Sequence, residues 1–398
     1  MFKLIKNLTL LCLFTMSAFM VNAQTDEIDA NNFSENPNKV SKEVSAQVKT
    51  TAKPTMQKWQ VDVLNLPEGY DWVLLKNGEL FKGEVVSMYQ NSIEFDSDEV
   101  GLINLDFDDI DQLRGTQIMS IRFDNDEVVE GKIYIHEGII TFLDKPELQF
   151  PQDTVLAVAR SKESGESLWD GSASFGVNYR SGNTEKFDYS GQIKLRRLTS
   201  TSRVLINTAS NYSEVKDAET DENVRTVKNT RVTASYDWFY SRKVFFRVPG
   251  FSYYTDEFKN IKHQVGLGVA AGYVIYDEAH LNWDFHVGPS VLYTEYEQVE
   301  VDQDDTQSSP VIEVGTRYNY DLTKDIEFFL EYTVKFVNEE SGSQLHHLEG
   351  GFDIELISDF DLNLKSIIDR VEKPIPDTEG IYPEKDDVLF IVSIKYSF

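Results

Sequence analysis

The stretch Asp387-Val388-Leu389-Phe390-Ile391-Val392-Ser393-Ile394-Lys395-Tyr396-Ser397-Phe398 decides the fold. Val388, Phe390, Val392, Ile394, Tyr396 and Phe398 recur at every second position, while Asp387, Ser393, Lys395 and Ser397 fall on the other face. Successive side chains of a strand point to opposite sides of its sheet, so this strand has an apolar, aromatic face and a mostly polar one. The sequence stops there, on an aromatic residue. Outer-membrane barrels end on a strand of this kind, read by an assembly machine, and Tyr396 with Phe398 is the expected assembly signal.

The same alternation persists backwards from this strand to residue 168. Twelve strands are predicted, at 168–180, 186–198, 202–215, 227–240, 244–258, 263–275, 281–296, 310–322, 326–338, 345–357, 361–371 and 386–398. In the sixth, Val265, Leu267, Val269, Ala271, Tyr273 and Ile275 share one face, opposite Gln264, Gly266, Gly268, Ala270 and Gly272. In the seventh, Leu281, Trp283, Phe285, Val287 and Val291 oppose Asn282, Asp284, His286 and Ser290. One face suits lipid and the other suits water or a packed polar interior.

The connections carry a second signal. Those at 199–201, 241–243, 277–280, 323–325 and 358–360 are short, whereas 216–226, 297–309 and 372–385 are long and charged. An even strand number, short turns at one end and long loops at the other are the pattern of an outer-membrane barrel, with both termini on the periplasmic side. Trp169, Trp238, Tyr240, Trp283, Tyr396 and Phe398 gather toward the short turns, and Tyr179, Phe187, Tyr189, Tyr293 and Tyr296 toward the long loops. Two such girdles are expected where a lipid-facing wall meets water.

No stretch beyond the N-terminus approaches the roughly 20 apolar residues that a spanning helix needs. Residues 1–23 read as a secretory signal: Lys3 and Lys6, an apolar run from Leu8 to Val21, then Val21-Asn22-Ala23. Cys12, the one cysteine of the chain, lies inside that run, so the exported part is expected to hold together without disulfides. Residues 24–66 are polar and read as a flexible linker. A formal net charge of −29 argues against nucleic acid, which needs a basic face.

Between linker and barrel runs an internal repeat of about 46 residues. Val73 to Val85 and Ser120 to Ile133 each read as strand, Asn/Asp/Gly turn and strand. Each is followed by a further short strand, Ser92–Phe95 or Ile139–Phe142, and closes on an acidic turn and an apolar strand ending in Arg114 or Arg160. Tandem small SH3-like or Sm-like barrels are predicted at 67–115 and 116–163, ahead of the transmembrane barrel at 167–398. The fold class is thus all-β throughout. A periplasmic partner of unknown identity for residues 67–163 is one expectation; a structural spacer is the other.

The opening hairpin of the barrel, Gly171-Ser172-Ala173-Ser174-Phe175-Gly176-Val177-Asn178-Tyr179-Arg180-Ser181-Gly182-Asn183-Thr184, resembles the start of a family of outer-membrane β-barrel proteins of unknown function. That family includes the salt-stress-induced outer-membrane protein of enteric bacteria. The resemblance covers about residues 168–398 and implies an outer-membrane barrel, a lipid environment and a link to salt or osmotic stress. It transfers no functional residue, and the repeats lie outside it.

The inward face carries the candidate chemistry. Gly-x-Ser-x-Gly and His-Glu-x-x-His are absent from the sequence, and no catalytic, cofactor or metal residue is assigned. His286 shares its face with Asp284, and His347 with Glu349, so either pair would suit an imidazole base; a structural lumen ion pair is the simpler reading. Adjacent His346 and His347 face opposite ways, which weakens a metal site. Arg180, Lys194, Arg196, Arg203, Arg231, Arg247, Arg317 and Lys335 are expected inside, with Asp188, Asp237, Asp284, Glu313, Glu327, Glu331, Asp353 and Glu355. Comparable numbers of both signs predict a paired network in a narrow lumen, where a strongly selective pore would show a bias. The leading expectation is a narrow channel or envelope structural protein that is not an enzyme. A barrel anchoring a periplasmic binding module and an outer-membrane hydrolase are the alternatives.

Overall fold

The computed structural model describes residues 69–89, 91–97, 99–161, 168–180, 186–216, 222–299, 304–357, 359–374, 382 and 384–398. The expected signal, the linker, the Gly182-Asn183-Thr184 turn and much of the three long loops lie outside these residues.

Among the described residues, 71–160 form one antiparallel sheet of nine strands. These are β1 (Asp71–Leu75), β2 (Leu80–Tyr89), β3 (Ser92–Ser97), β4 (Gly101–Asp106), β5 (Ile110–Phe123), β6 (Val128–His136), β7 (Ile139–Phe142), β8 (Lys145–Pro151) and β9 (Val155–Arg160). The order is β4-β3-β2-β1-β5-β6-β7-β8, and β9 pairs with both β2 and β5.

Its two halves repeat at the level of single bonds. In the first hairpin the Leu75 N–H donates to Glu79 O, and the side-chain oxygen of Asn77 accepts the Glu79 N–H at 2.9 Å. In the second, Phe123 and Glu127 make the same backbone bond and Asn125 accepts from Glu127 at 3.0 Å. Gly78 and Asp126 take the left-handed conformation these turns require, with φ of 96° and 67°. A single 3₁₀ turn, Phe107–Asp109 or Gln152–Thr154, precedes the last strand of each half.

The halves are nevertheless not separate bodies. The boundary expected between residues 115 and 116 falls inside β5, whose first part pairs with β1 and whose second part pairs with β6 and β9. One core, including Val73, Phe95, Phe107, Ile121, Phe142 and Val158, serves both halves. Size is the physical reason: under fifty residues bury too little apolar surface for a stable core, and fusing two such units makes one adequate core.

The barrel follows. Its strands are β10 (Trp169–Arg180), β11 (Lys186–Leu198), β12 (Ser202–Lys216), β13 (Asn223–Phe239), β14 (Val244–Asp256), β15 (Ile261–Glu278), β16 (Leu281–Tyr296), β17 (Thr306–Thr323), β18 (Ile326–Phe336), β19 (Gln344–Ile357), β20 (Phe360–Val371) and β21 (Asp386–Ser397). Among the described residues they close in sequence order into a twelve-stranded antiparallel barrel, as expected. The seam joins β10 to β21 from Ser172↔Ser397 to Phe175↔Ile394, and Gly171 and Phe398 exchange both backbone bonds, at 2.8 and 2.9 Å.

Val388, Phe390, Val392, Ile394 and Tyr396 point outward and are exposed, while Ile391 and Ser393 are buried inside. Trp238, Tyr240 and Phe246 make one aromatic cluster near the short turns; Tyr276, Trp283, Tyr318, Phe328 and Phe352 make a neighbouring chain of ring contacts. An apolar outer wall with an aromatic rim is what hydrocarbon and its interface select. One expected outward residue is displaced: the register slips between Val274 and Tyr276, so Val274 keeps its inward place and Tyr276, not Ile275, takes the outer position.

Phe95 is fully buried in the nine-stranded sheet. Phe95→Ala is expected to destabilise that sheet by about 3–5 kcal/mol. Pulse proteolysis across a urea series should show its midpoint fall while the barrel keeps its heat-modifiable migration.

Candidate functional site

The sheet and the barrel belong to one compact unit, and their contact is built from an irregularity in the alternation. Leu198, Phe239, Phe245 and Val274 occupy inward positions at the short-turn ends of β11, β13, β14 and β15, where the pattern calls for polar residues. They are buried against Tyr89, Leu156 and Ala157 of the sheet. Tyr89 stacks on Phe239 with ring centroids 3.6 Å apart and planes 16° from parallel. Gly272 makes room for this cluster: a Cβ there would come within 2.1 Å of the Phe245 ring.

Hydrogen bonds surround the apolar contact. Arg122 donates to Phe239 O at 2.5 Å and the Tyr89 hydroxyl to Ser241 O at 3.3 Å. Asp277 accepts the N–H groups of Asn91 and Ser92 at 3.1 and 3.4 Å, and Asp106 accepts that of Ala279 at 2.9 Å. The hydroxyls of Ser120 and Ser200 lie 2.9 Å apart, and Arg196 reaches Glu94 at 2.7 Å. The nine-stranded sheet is thus a cap on the short-turn end of the barrel. The four inward apolar residues were the sequence signal for it, visible as breaks in a polar face.

Behind the cap the lumen is crossed by ion pairs. Asp237, with no exposed surface, accepts Arg247 at 2.7 Å and Arg203 at 3.0 Å. Asp284 takes Arg317 at 2.6 Å, and Glu331 takes Lys194 at 3.5 Å. Toward the long-loop end Asp369 gathers His347, Arg231 and Lys259 at 2.6, 3.0 and 3.4 Å. Lys395 joins Asp353 and Asp361 at 2.7 and 2.8 Å. Lys259, Lys365, Asp369 and Lys395 were not among the expected lumen charges, although the parity of β20 and β21 already places the last three inward.

The expected pairings along one strand do not form. His286 lies 3.1 Å from Arg247 and 3.5 Å from Glu313, and Asp284 is held by arginines. His347 binds Asp369, while Glu349 accepts from Lys365 and Gln192, each at 3.3 Å. Cross-strand neighbours sit about 5 Å apart, closer than residues two apart on one strand, so the barrel's register outcompetes local sequence. Among the described residues no group of three or more His, Cys, Asp and Glu is placed to hold a metal ion.

A cavity of about 1370 Å³ runs along the lumen. Glu84, Glu94, Leu102 and Arg160 of the cap line it at one end, and Lys259, Arg370 and Asp387 line it toward the long loops. Outside the wall, Lys373 bonds Glu339 at 2.6 Å and holds that carboxyl below its usual range.

A closed antiparallel barrel with a polar, charge-paired lumen and an apolar outer wall defines the class. The chain belongs to the family described as "Protein of unknown function, DUF481", which matches residues 173–398 and leaves the cap outside. No curated protein matches it. Similar solved structures include the NanC porin, at 14% identity over 57% of this chain and 96% of that one, with a TM-score of 0.32. Others are the translocator domain of the autotransporter NalP from Neisseria meningitidis (10%, 57% and 87%, TM-score 0.33) and the outer membrane channel DcaP of Acinetobacter baumannii (11%, 83% and 94%, TM-score 0.25).

Removing the carboxylate at Asp237 takes from Arg247 its ion-pair partner and leaves Arg203 only Asp284, at 3.8 Å. Asp237→Asn is expected to cost about 3–5 kcal/mol, as breaking a buried pair does. Loss of the heat-modifiable barrel band at correspondingly lower urea would check it.

Proposed function

We propose that this chain is an outer-membrane barrel forming a narrow channel for small polar solutes, with its short turns and cap in the periplasm. The observation that carries the reading is the cavity along the lumen, walled by charges of both signs that are already paired. Paired walls hydrate a path without imposing a strong preference for one ion sign. Lipid surrounds the apolar wall, and the aromatic seam around Tyr396 and Phe398 engages the assembly machinery. The cap is read as two fused SH3-like units. In each, the strand after the 3₁₀ turn pairs back onto the first, giving orders β5-β1-β2-β3-β4 and β9-β5-β6-β7-β8. Its role is at the barrel, since Tyr89, Leu156 and Ala157 spend their apolar surface there.

Planar-bilayer recording of the refolded full chain tests this. Small, discrete conductance steps with weak ion selectivity are expected. Lys194→Glu, which leaves Glu331 and Glu349 without that cation, should shift the reversal potential toward cations. Silence from a folded, heat-modifiable barrel, in the wild type and in the cap-contact variant Tyr89→Ser alike, would overturn the channel.

A further inference from the structure

The contact between cap and barrel has the construction of a seal that can part. Among the described residues, no strand of the nine-stranded sheet pairs with a strand of the barrel, so each body keeps a complete hydrogen-bond ladder without the other. What joins them is a small apolar cluster and a ring of hydrogen bonds, several of them to backbone atoms of the turns at 239–241 and 277–279.

Three charged groups at the contact point the same way, whereas the carboxylates of Asp277 and Asp106 give up their backbone partners on separation. Arg196 bonds Glu94 of the cap, yet also bonds Asp170 of its own barrel at 3.0 Å. Arg122 of the cap bonds the barrel's Phe239 carbonyl, yet also Asp126 of the cap at 2.5 Å. Glu94 is bonded in turn by the Ser87 hydroxyl on its own sheet. Separation therefore strands none of these three charges, whereas removing one partner of a buried pair normally leaves the other uncompensated. The apolar cluster supplies the opposing bias, because uncovering Leu198, Phe239, Phe245 and Val274 puts apolar surface into water.

We propose that the 69–161 cap is a reversible gate: docked, it closes the short-turn mouth of the lumen, and the path conducts only when the cap parts from the barrel. The proposal rests on the channel reading. The docked state is the one seen, with Glu84, Glu94, Leu102 and Arg160 bounding the cavity. Opening exposes the turns at 199–201, 240–243 and 277–280 and leaves both bodies intact.

The Ser120 and Ser200 hydroxyls, 2.9 Å apart across the contact, offer a lock. The test is the full-chain double variant S120C/S200C, with Cys12, the chain's one cysteine, changed to Ser. The cross-link is read by gel mobility before and after reduction. Loss of all conductance steps on oxidation, with recovery on reduction, is the expected result. Equal conductance in both states overturns the gate and leaves the channel standing; silence in both states and in Tyr89→Ser overturns the channel and the gate with it. A second full-chain variant, Tyr89→Ser, removes the stacked ring from the cap alone and should raise the open fraction without any cross-link. An unchanged open fraction in that variant overturns the gate.

Discussion

A sheet can stand in hydrocarbon only if it leaves no edge, because each unpaired N–H or C=O there has no water to turn to. The seam between β10 and β21 meets that demand, and the rest of the barrel depends on it. It is short in register, and the reciprocal Gly171–Phe398 bonds extend it by one pair. Gly171 suits the position because a Cβ would lie 2.6 Å from the Lys194 carbonyl oxygen. Phe360, Tyr396 and Phe398 stack along the outside of this seam, so the strand that closes the ladder also carries part of the aromatic rim.

Closure creates the second problem, an interior of fixed width that must be filled or wetted. Here the wall divides the work. Gly266, Gly268 and Ser290 keep one side thin, while Lys194, Glu331, Glu349 and Lys365 reach in from the other. Among the inward charges found by alternation, Arg203, Arg231, Arg247 and Arg317 each meet a counter-charge on another strand. Buried ion pairs are poor sources of stability, and their value here is a polar surface that neither collapses nor attracts one ion sign strongly.

The cap answers to a different physics. It is a water-soluble sheet with its own core, held to the barrel by side chains and turn backbone. Its docking surface replaces the polar lumen lining over the last turn of four strands. The same inward positions thus change from charged to apolar along one strand, as in Asp237 and Phe239 two residues apart on β13. The lumen has two regions, one facing solvent and one facing protein.

Much of this was legible in the sequence for a simple reason. A strand's two-residue period is local, so the outward Val388, Phe390 and Val392 and the inward Lys395 could be assigned without knowing any partner strand. The repeat at 73–85 and 120–133 was legible too, because its Asn turns are made within a few residues. Local pattern could not say that the two repeats share β5 and one core, since that depends on how much apolar surface each half can bury alone. It misplaced Ile275, where an extra residue slips the register between Val274 and Tyr276. It paired His286 with Asp284 and His347 with Glu349, whereas the neighbouring strands supply Glu313 and Asp369 instead. The sequence by itself determined which face of each strand points outward, save at the Ile275 slip, and how many strands close the barrel. Only the tertiary structure decided which charges meet inside it and what covers its mouth, because those contacts join residues far apart in the chain whose distance no local period records.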